Sequence, residues 1–466
     1  MKRLLPLLLC AVLALFCATT AQAAGVSITL TASEYALHYA FDAGAQDPFV
    51  ILEYATPAEK GWMMLYSEDG HFEGDVSLAY SGAGGKTSVA LTSARTTGSI
   101  GKASTTLPKA ADYQKPTGKS NAKVTDFMLT ETPEGFHYAF NAIGTDYMLL
   151  YWRSKEQTVT QPVYPDENGH YEGDVVSELT FARTQFTVQV KSGSGSMKKE
   201  ATVRKGYQAP EAPQRQEGRL SGVTVCIDAG HQENGRFVNE PIGPGLTGST
   251  SGKGGMAQGT KTNRRESIVC LEIGMLLRDE LLRQGANVIM TREDQTTFHT
   301  NIERCEIAEA GGAQIMLRLH CNNSSNRSKR GIQVYGPLNS DYAKAVADAD
   351  TYREMGQKLL DAMKTRVGMT LANSTGMVRL NDNYVGNNWA KMMCFLVEMG
   401  YLSNPAEEYL LVTPVYQQWL AEGMADGVYE VAAACEKRVV GEVHYAHHLN
   451  ISVCLVSHND INFEQK

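Results

Sequence analysis

Four widely separated residues, His231, Glu266, His320 and Glu398, have side chains that can gather around one divalent ion. Two imidazoles and one carboxylate make the His₂Glu donor set of a catalytic zinc site, which leaves the fourth tetrahedral position for water. Glu398 adds a second carboxylate. Each residue also has an ordinary explanation by itself. A histidine after a glycine turn is commonly solvated, one that closes a strand is commonly hydrogen-bonded at a sheet edge, and a glutamate that opens a helix is favoured by the helix dipole. The chemistry therefore depends on whether the four meet.

The elements around them predict that they do. From residue 223 onward, apolar runs alternate with amphipathic stretches, the pattern of an α/β domain with an open, mostly parallel sheet flanked by helices. Strands are expected at 223–227, 287–291, 315–319, 332–335 and 393–397, and helices near 266–283, 302–310, 342–365 and 405–411. The last helix carries a start signal, with Asn404 as cap, Pro405 in first position and Glu407 three residues after the cap. His231, His320 and Glu398 each fall at or just past the carboxyl end of a strand, and in such a sheet those ends form one edge where ligands bind. Glu266 shares a helical stripe with Cys270, Ile273, Leu277 and Leu281, so its carboxylate is aimed at the sheet and needs a partner there.

From Ser221 to about Ala434 the chain resembles the zinc-dependent N-acetylmuramoyl-L-alanine amidases, which cleave bacterial cell walls. The likeness rests on Val225-Cys226-Ile227-Asp228-Ala229-Gly230-His231, Glu266, Val288-Ile289-Met290-Thr291-Arg292, Leu319-His320-Cys321-Asn322, Gly331-Ile332-Gln333-Val334-Tyr335 and Val397-Glu398-Met399-Gly400-Tyr401-Leu402-Ser403-Asn404. It implies that His231, Glu266 and His320 bind Zn²⁺, that Glu398 is the catalytic glutamate, and that the bond cleaved in peptidoglycan joins the muramic acid lactyl group to L-alanine. Zinc-activated water is the implied nucleophile, and no Gly-x-Ser-x-Gly motif offers another. Arg292 and Arg304 read as positional or structural. Ala229, Gln232 and Cys321 depart from the family's usual residues, and a Gly-rich insertion at 232–261 either folds over the metal or walls the groove. The side chain of Cys321, next to a strand-end histidine, should point away from the metal into packing. Two other readings start from the same residues: a non-catalytic wall-binding or adhesin protein with a degenerate amidase domain, and a zinc peptidase acting on stem peptides.

The N-terminal part is organised differently. Leu37-His38-Tyr39-Ala40-Phe41 recurs as Phe136-His137-Tyr138-Ala139-Phe140, and Gly70-His71-Phe72-Glu73-Gly74-Asp75-Val76 as Gly169-His170-Tyr171-Glu172-Gly173-Asp174-Val175, both at an offset of 99 residues. Two small β-sandwich-like repeats follow, at 24–100 and 122–206, with linkers at 101–121 and 207–220, the catalytic domain at 221–435 and an unassigned tail at 436–466. The paired histidines His38/His137 and His71/His170 read as structural positions, and His444, His447 and His448 lie in the unpatterned tail. Residues 1–23 read as a signal peptide: Lys2 and Arg3, an apolar run from Leu4 to Phe16, then Ala21-Gln22-Ala23. That predicts a protein of the cell wall, periplasm or exterior with no membrane span after cleavage. Nine cysteines, two of them in the signal segment, leave seven without a CxxC pair, so neither a disulfide framework nor a zinc-thiolate site is indicated. A net charge of −8 speaks against nucleic acid as partner, and the repeats are left as the expected contact with a wall polymer or surface partner.

Overall fold

Strict alternation of apolar and polar residues shapes the N-terminal part. In the strand Ala36–Asp42, Leu37, Tyr39 and Phe41 point inward while His38 and Ala40 face outward. The computed structural model describes residues 19–22 and 26–448 apart from 58–59, 79–80, 97, 112–121, 133–134, 146–147, 154–157, 177–183, 193–195, 206–209, 233–237, 251–254 and 369–377. The expected signal segment lies outside the described residues apart from Thr19–Gln22, a strand paired antiparallel with Ser27–Ser33. Cys454 and the tail beyond 448 lie outside them too.

The first module packs the sheet containing Ser27–Ser33, Ala36–Asp42 and His71–Ser77 against a four-stranded sheet ordered Lys60–Tyr66, Phe49–Ala55, Gly85–Ser93, Ser99–Leu107. The second repeats the plan with a three-stranded and a four-stranded antiparallel sheet between Lys123 and Lys205. Their cores keep the same stacked pair: Phe41 on Phe72 at 4.9 Å, and Phe140 on Tyr171 at 4.6 Å between ring centroids. The repeated histidines sit outside these cores, His38 and His71 bonded to Asp75 and Asp42, His137 and His170 to Asp174 and Asn141. One boundary differs from expectation. The segment read as a linker from 101 opens inside the strand Ser99–Leu107, whose inward positions are Gly101, Ala103, Thr105 and Leu107, three of them too small or polar to register as a strand's apolar face.

The C-terminal domain holds a six-stranded sheet in the order Asn287–Met290, Thr224–Ala229, Ile315–Asn322, Met393–Tyr401, Gln333–Gly336, Val378–Leu380. Its first four strands are parallel neighbours, but Gln333–Gly336 runs antiparallel to Met393–Tyr401. The connection 323–332 contains no helix and is too short for the crossover that a parallel return requires, so the sheet is mixed. Helices Glu266–Arg283, Ala349–Val367 and Pro414–His448 bury one face around Val225, Ile227, Leu317, Phe395 and Val397. The helix expected at 342–365 is two, Asp341–Val346 and Ala349–Val367, because the Asp348 carboxylate accepts from the Thr351 amide and caps a new start. Near 405–411 the helix shrinks to Glu407–Leu410, although Asn404 still accepts from the amides of Ala406 and Glu407.

Pro414–His448 lies outside the elements read from the sequence and crosses the 435 boundary without a break. Its apolar positions Tyr416, Leu420, Met424, Val428 and Val431 follow helical spacing, but Gly423 and Gly427 interrupt the pattern with poor helix formers. Packing explains them: a Cβ at Gly427 would stand 2.9 Å from the Leu359 Cα, and one at Gly423 2.8 Å from the Met363 Cα, so the two helices touch through bare backbone. Gly427→Val should therefore lower stability by about 1–3 kcal/mol through overpacking, read as a fall in the urea midpoint at unchanged slope. An equal or higher midpoint would contradict this account of the contact.

Candidate metal centre

The sheet edge brings the histidines together through register. Strand Thr224–Ala229 pairs with Ile315–Asn322, and the Gly230 amide continues the ladder to the Leu319 carbonyl at 2.9 Å. Gly230 must be a glycine, since a Cβ there would lie 2.5 Å from that carbonyl and 2.7 Å from His320 Nε2. The chain then turns sharply, with His231 in the left-handed region at φ 57°, a conformation more accessible to histidine than to most residues. That turn sends the His231 ring back over the strand end. The two imidazoles lie 4.9 Å apart at 79°.

Glu266 reaches the same point from the first turn of its helix. Its Oε1 is 3.1 Å from His231 Nε2 and 2.9 Å from His320 Nδ1, and it accepts from the Cys321 amide at 3.1 Å. Oε2 accepts from the Ala257 amide at 2.8 Å, while the Glu266 amide donates back to the Ala257 carbonyl at 2.9 Å. The end of the insertion thus locks the carboxylate. Among the described residues, His231, Glu266 and His320 are the one group of three metal-ligating side chains whose donor atoms all lie within 4.8 Å of one another. The carboxylate-to-imidazole separations are close to the edge of roughly 3.3 Å for a tetrahedron with bonds of about 2.0–2.1 Å, so the donor set fits zinc.

Glu398 stands opposite His320 on one neighbouring strand and opposite Gln333 on the other. Its Oε2 is buried and has no hydrogen-bond partner. Burial first, then the Glu266 charge, push its carboxyl up to about 8. Burial works in the same direction on Glu266, but the hydrogen bonds and charges of the two histidines prevail and hold that carboxyl well below the usual range. His320 is lowered by burial, against the pull of Glu266. The adjoining residue Cys321 packs into the core, as do four more of the six described cysteines, all free thiols.

Beneath the site lies an arginine cluster. Arg304 donates to Asp228, to the carbonyls of Ala229 and His231 and to Gln232 Oε1. Arg318 donates to Asp228 Oδ2 at 2.9 Å, and Arg292 binds the carbonyls of Ala229, Gly230 and Ser267. Asp228 is held far down despite its burial because Arg304 and Arg318 face it. Sequence reading found Arg292 and Arg304 but missed Asp228 and Arg318, although a charged residue inside an apolar strand run is a signal that it has a buried partner. The cavity above, about 700 Å³, is lined by all four site residues, by Val238, Glu240, Thr250, Met256 and Ala257 of the insertion, and by Tyr384 and Val385. The described part of the insertion therefore walls the groove. Glu240 fixes that wall by accepting from the amides of Asn301 and Ile302 at the start of the helix Asn301–Ala310.

Residues 225–430 match the N-acetylmuramoyl-L-alanine amidase family. The segment is 27% identical over 223 residues to the germination-specific N-acetylmuramoyl-L-alanine amidase of Bacillus subtilis (strain 168), covering 45% of this chain and 79% of that one. It is also 27% identical over 218 residues to the probable cell wall amidase LytH of Staphylococcus aureus, where the match spans 46% of this chain and 60% of that protein. A solved N-acetylmuramoyl-L-alanine amidase from Clostridium difficile 630 superposes with TM-score 0.37 at 22% identity, over 46% of this chain and 98% of that one. For Ami1 from Mycobacterium abscessus the values are 0.42 and 20%, over 46% and 100%. The family match thus falls on the domain that holds the four residues.

The Glu398 shift has a measurable consequence in metal-free protein. A carboxyl raised from 4.5 in the unfolded chain to about 8 in the fold takes stability away as pH rises through that window, because the unfolded state releases its proton first. Chelator-treated Glu398→Gln protein should therefore match the parent near pH 4 and exceed it in urea midpoint at about pH 8. A gap independent of pH would show that Glu398 is not held protonated.

Proposed function

We propose that the protein is an exported zinc-dependent N-acetylmuramoyl-L-alanine amidase that hydrolyses the amide between N-acetylmuramic acid and L-alanine in peptidoglycan. The observation that carries this reading is the meeting of His231, Glu266 and His320 beside a buried, partnerless oxygen of Glu398, within a domain that matches the amidase family.

His231, Glu266 and His320 would hold the metal, and Cys321 and Ala257 orient Glu266 through their amides. Zinc in that place would supply a water acidic near neutrality and a Lewis acid for the scissile carbonyl. Glu398 takes a proton from the attacking water and delivers it to the leaving amine. Its carboxylate form is the one required at the start. The groove wall from Val238 to Ala257 and the Tyr384 side frame a cavity large enough for a sugar-peptide junction.

Export rests on the N-terminal segment 1–23, and no described helix is long and apolar enough to cross a membrane. Attachment to a wall polymer or surface partner belongs in this reading to the β modules.

Glu398→Gln should keep one zinc per chain yet lose hydrolysis of purified peptidoglycan by about 10²–10⁴-fold, whereas His320→Ala should lose both. Product analysis decides the bond: an amidase frees L-alanine amino termini and leaves intact muramic acid, while a stem peptidase frees other termini. Full turnover by Glu398→Gln would overturn its assigned role.

A further inference from the structure

The first β module is not separate from the catalytic domain. Phe49 is buried at 3% exposure and packs edge-on against Tyr416 and Trp419, centroids 5.8 and 5.1 Å away, while Trp62 lies 4.3 Å from Tyr409. Phe49 and Ala94 belong to the catalytic domain's apolar cluster rather than to their own module's core, and Ile51 packs with Ala406 and Tyr409. Arg330, also buried, reaches across to the carbonyls of Ala94 and Arg95.

Divergence of the repeats agrees with this arrangement. Phe49 faces Tyr66 across the hairpin, and Glu53 faces Trp62. Pairing sets Val50 opposite Ser93 and Met148 opposite Ser192, so the counterpart of the Glu53–Trp62 pair is Tyr151–Thr160, with threonine where the first module has Trp62.

The contact leads to the strand that bears Glu398. Next to Arg330, the Gly331 amide donates to Glu407 Oε1 at 2.7 Å, and the Tyr401 amide donates to Oε2 of the same carboxylate at 2.8 Å. Gly331 precedes Gln333, which pairs with Glu398, and Tyr401 ends the Glu398 strand. One buried carboxylate therefore pins both strands of the pair.

We infer that the first β module is a permanent part of the catalytic unit, a clamp that holds the Glu398 strand pair through Arg330 and Glu407, leaving the second module as the one available for attachment. Its effect on turnover rests on the hydrolase reading above; the docking itself does not.

The test inserts sites for a specific protease within 112–121 and 206–209 of the full chain and follows the digest by size exclusion. The first module should co-elute with the catalytic fragment while the second elutes alone. Phe49→Asp should abolish co-elution, with Trp62→Ala as a milder variant at the rim. In the uncut chain Phe49→Asp should lower kcat on a soluble muramoyl-peptide about tenfold to a hundredfold at unchanged zinc content. Release of the unsubstituted first module after cleavage would overturn the docking. Full kcat in Phe49→Asp protein that no longer co-elutes would overturn the clamp. An inactive parent whose first module still co-elutes would count against the hydrolase reading and leave the docking standing.

Discussion

The structure of the C-terminal domain is organised around one constraint: the Glu266 carboxylate is buried at a sheet edge and must be satisfied there. An ionised carboxylate out of water is tolerated only when surrounded by donors or a cation. Two imidazoles and two backbone amides supply them, from the strand end at His320 and Cys321, the left-handed turn at His231 and the end of the insertion at Ala257. The four donors come from three separate parts of the chain. Register between two strands, the start of one helix and the path of the insertion therefore all meet at a single side chain.

Much of this was legible in the sequence because it depends on local pattern. Apolar strand runs ending in His320 and Glu398, and a helical stripe that carries Glu266 inward, are statements about periodicity, and periodicity survives folding unchanged. What escaped depends on contacts between distant elements. The final strand of the first module turns Gly101, Ala103 and Thr105 inward, and only the neighbouring sheet reveals them as core. Gly423 and Gly427 argue against a helix until the approach of the Met363 and Leu359 backbone is known. Phe49, Trp62 and Tyr66 read as ordinary β residues, yet they form the ridge against Tyr409, Tyr416 and Trp419. Nothing in their own module distinguishes a core aromatic from a docking one.

The repeats show how duplication relaxes a surface while keeping a core. The stacked pairs Phe41–Phe72 and Phe140–Tyr171 superimpose in role, and the outward histidines keep carboxylate or amide partners in both copies. The hairpin face has diverged at Trp62, whose counterpart by register is Thr160. Core positions are tied by close packing, whereas a docking face is constrained only in the copy that uses it.

The arginines beneath the site act on the metal centre from the opposite direction. Asp228 is one carboxylate facing Arg304 and Arg318, and Arg292 beside them rests on carbonyl oxygens of Ala229, Gly230 and Ser267, so the cluster carries excess positive charge. Burial is the main cause that lowers His320, and the charge of Arg318 adds to it. Neutral imidazole is the form that binds metal, since a protonated ring has no lone pair to give. The same cations hold the turn in place, as Arg304 and Arg292 draw in the carbonyls of His231 and Gly230 on the far side of the ring. The buried cationic floor thus fixes the left-handed backbone that aims His231, while burial, with a smaller part from Arg318, lowers His320 toward the neutral form that a metal needs.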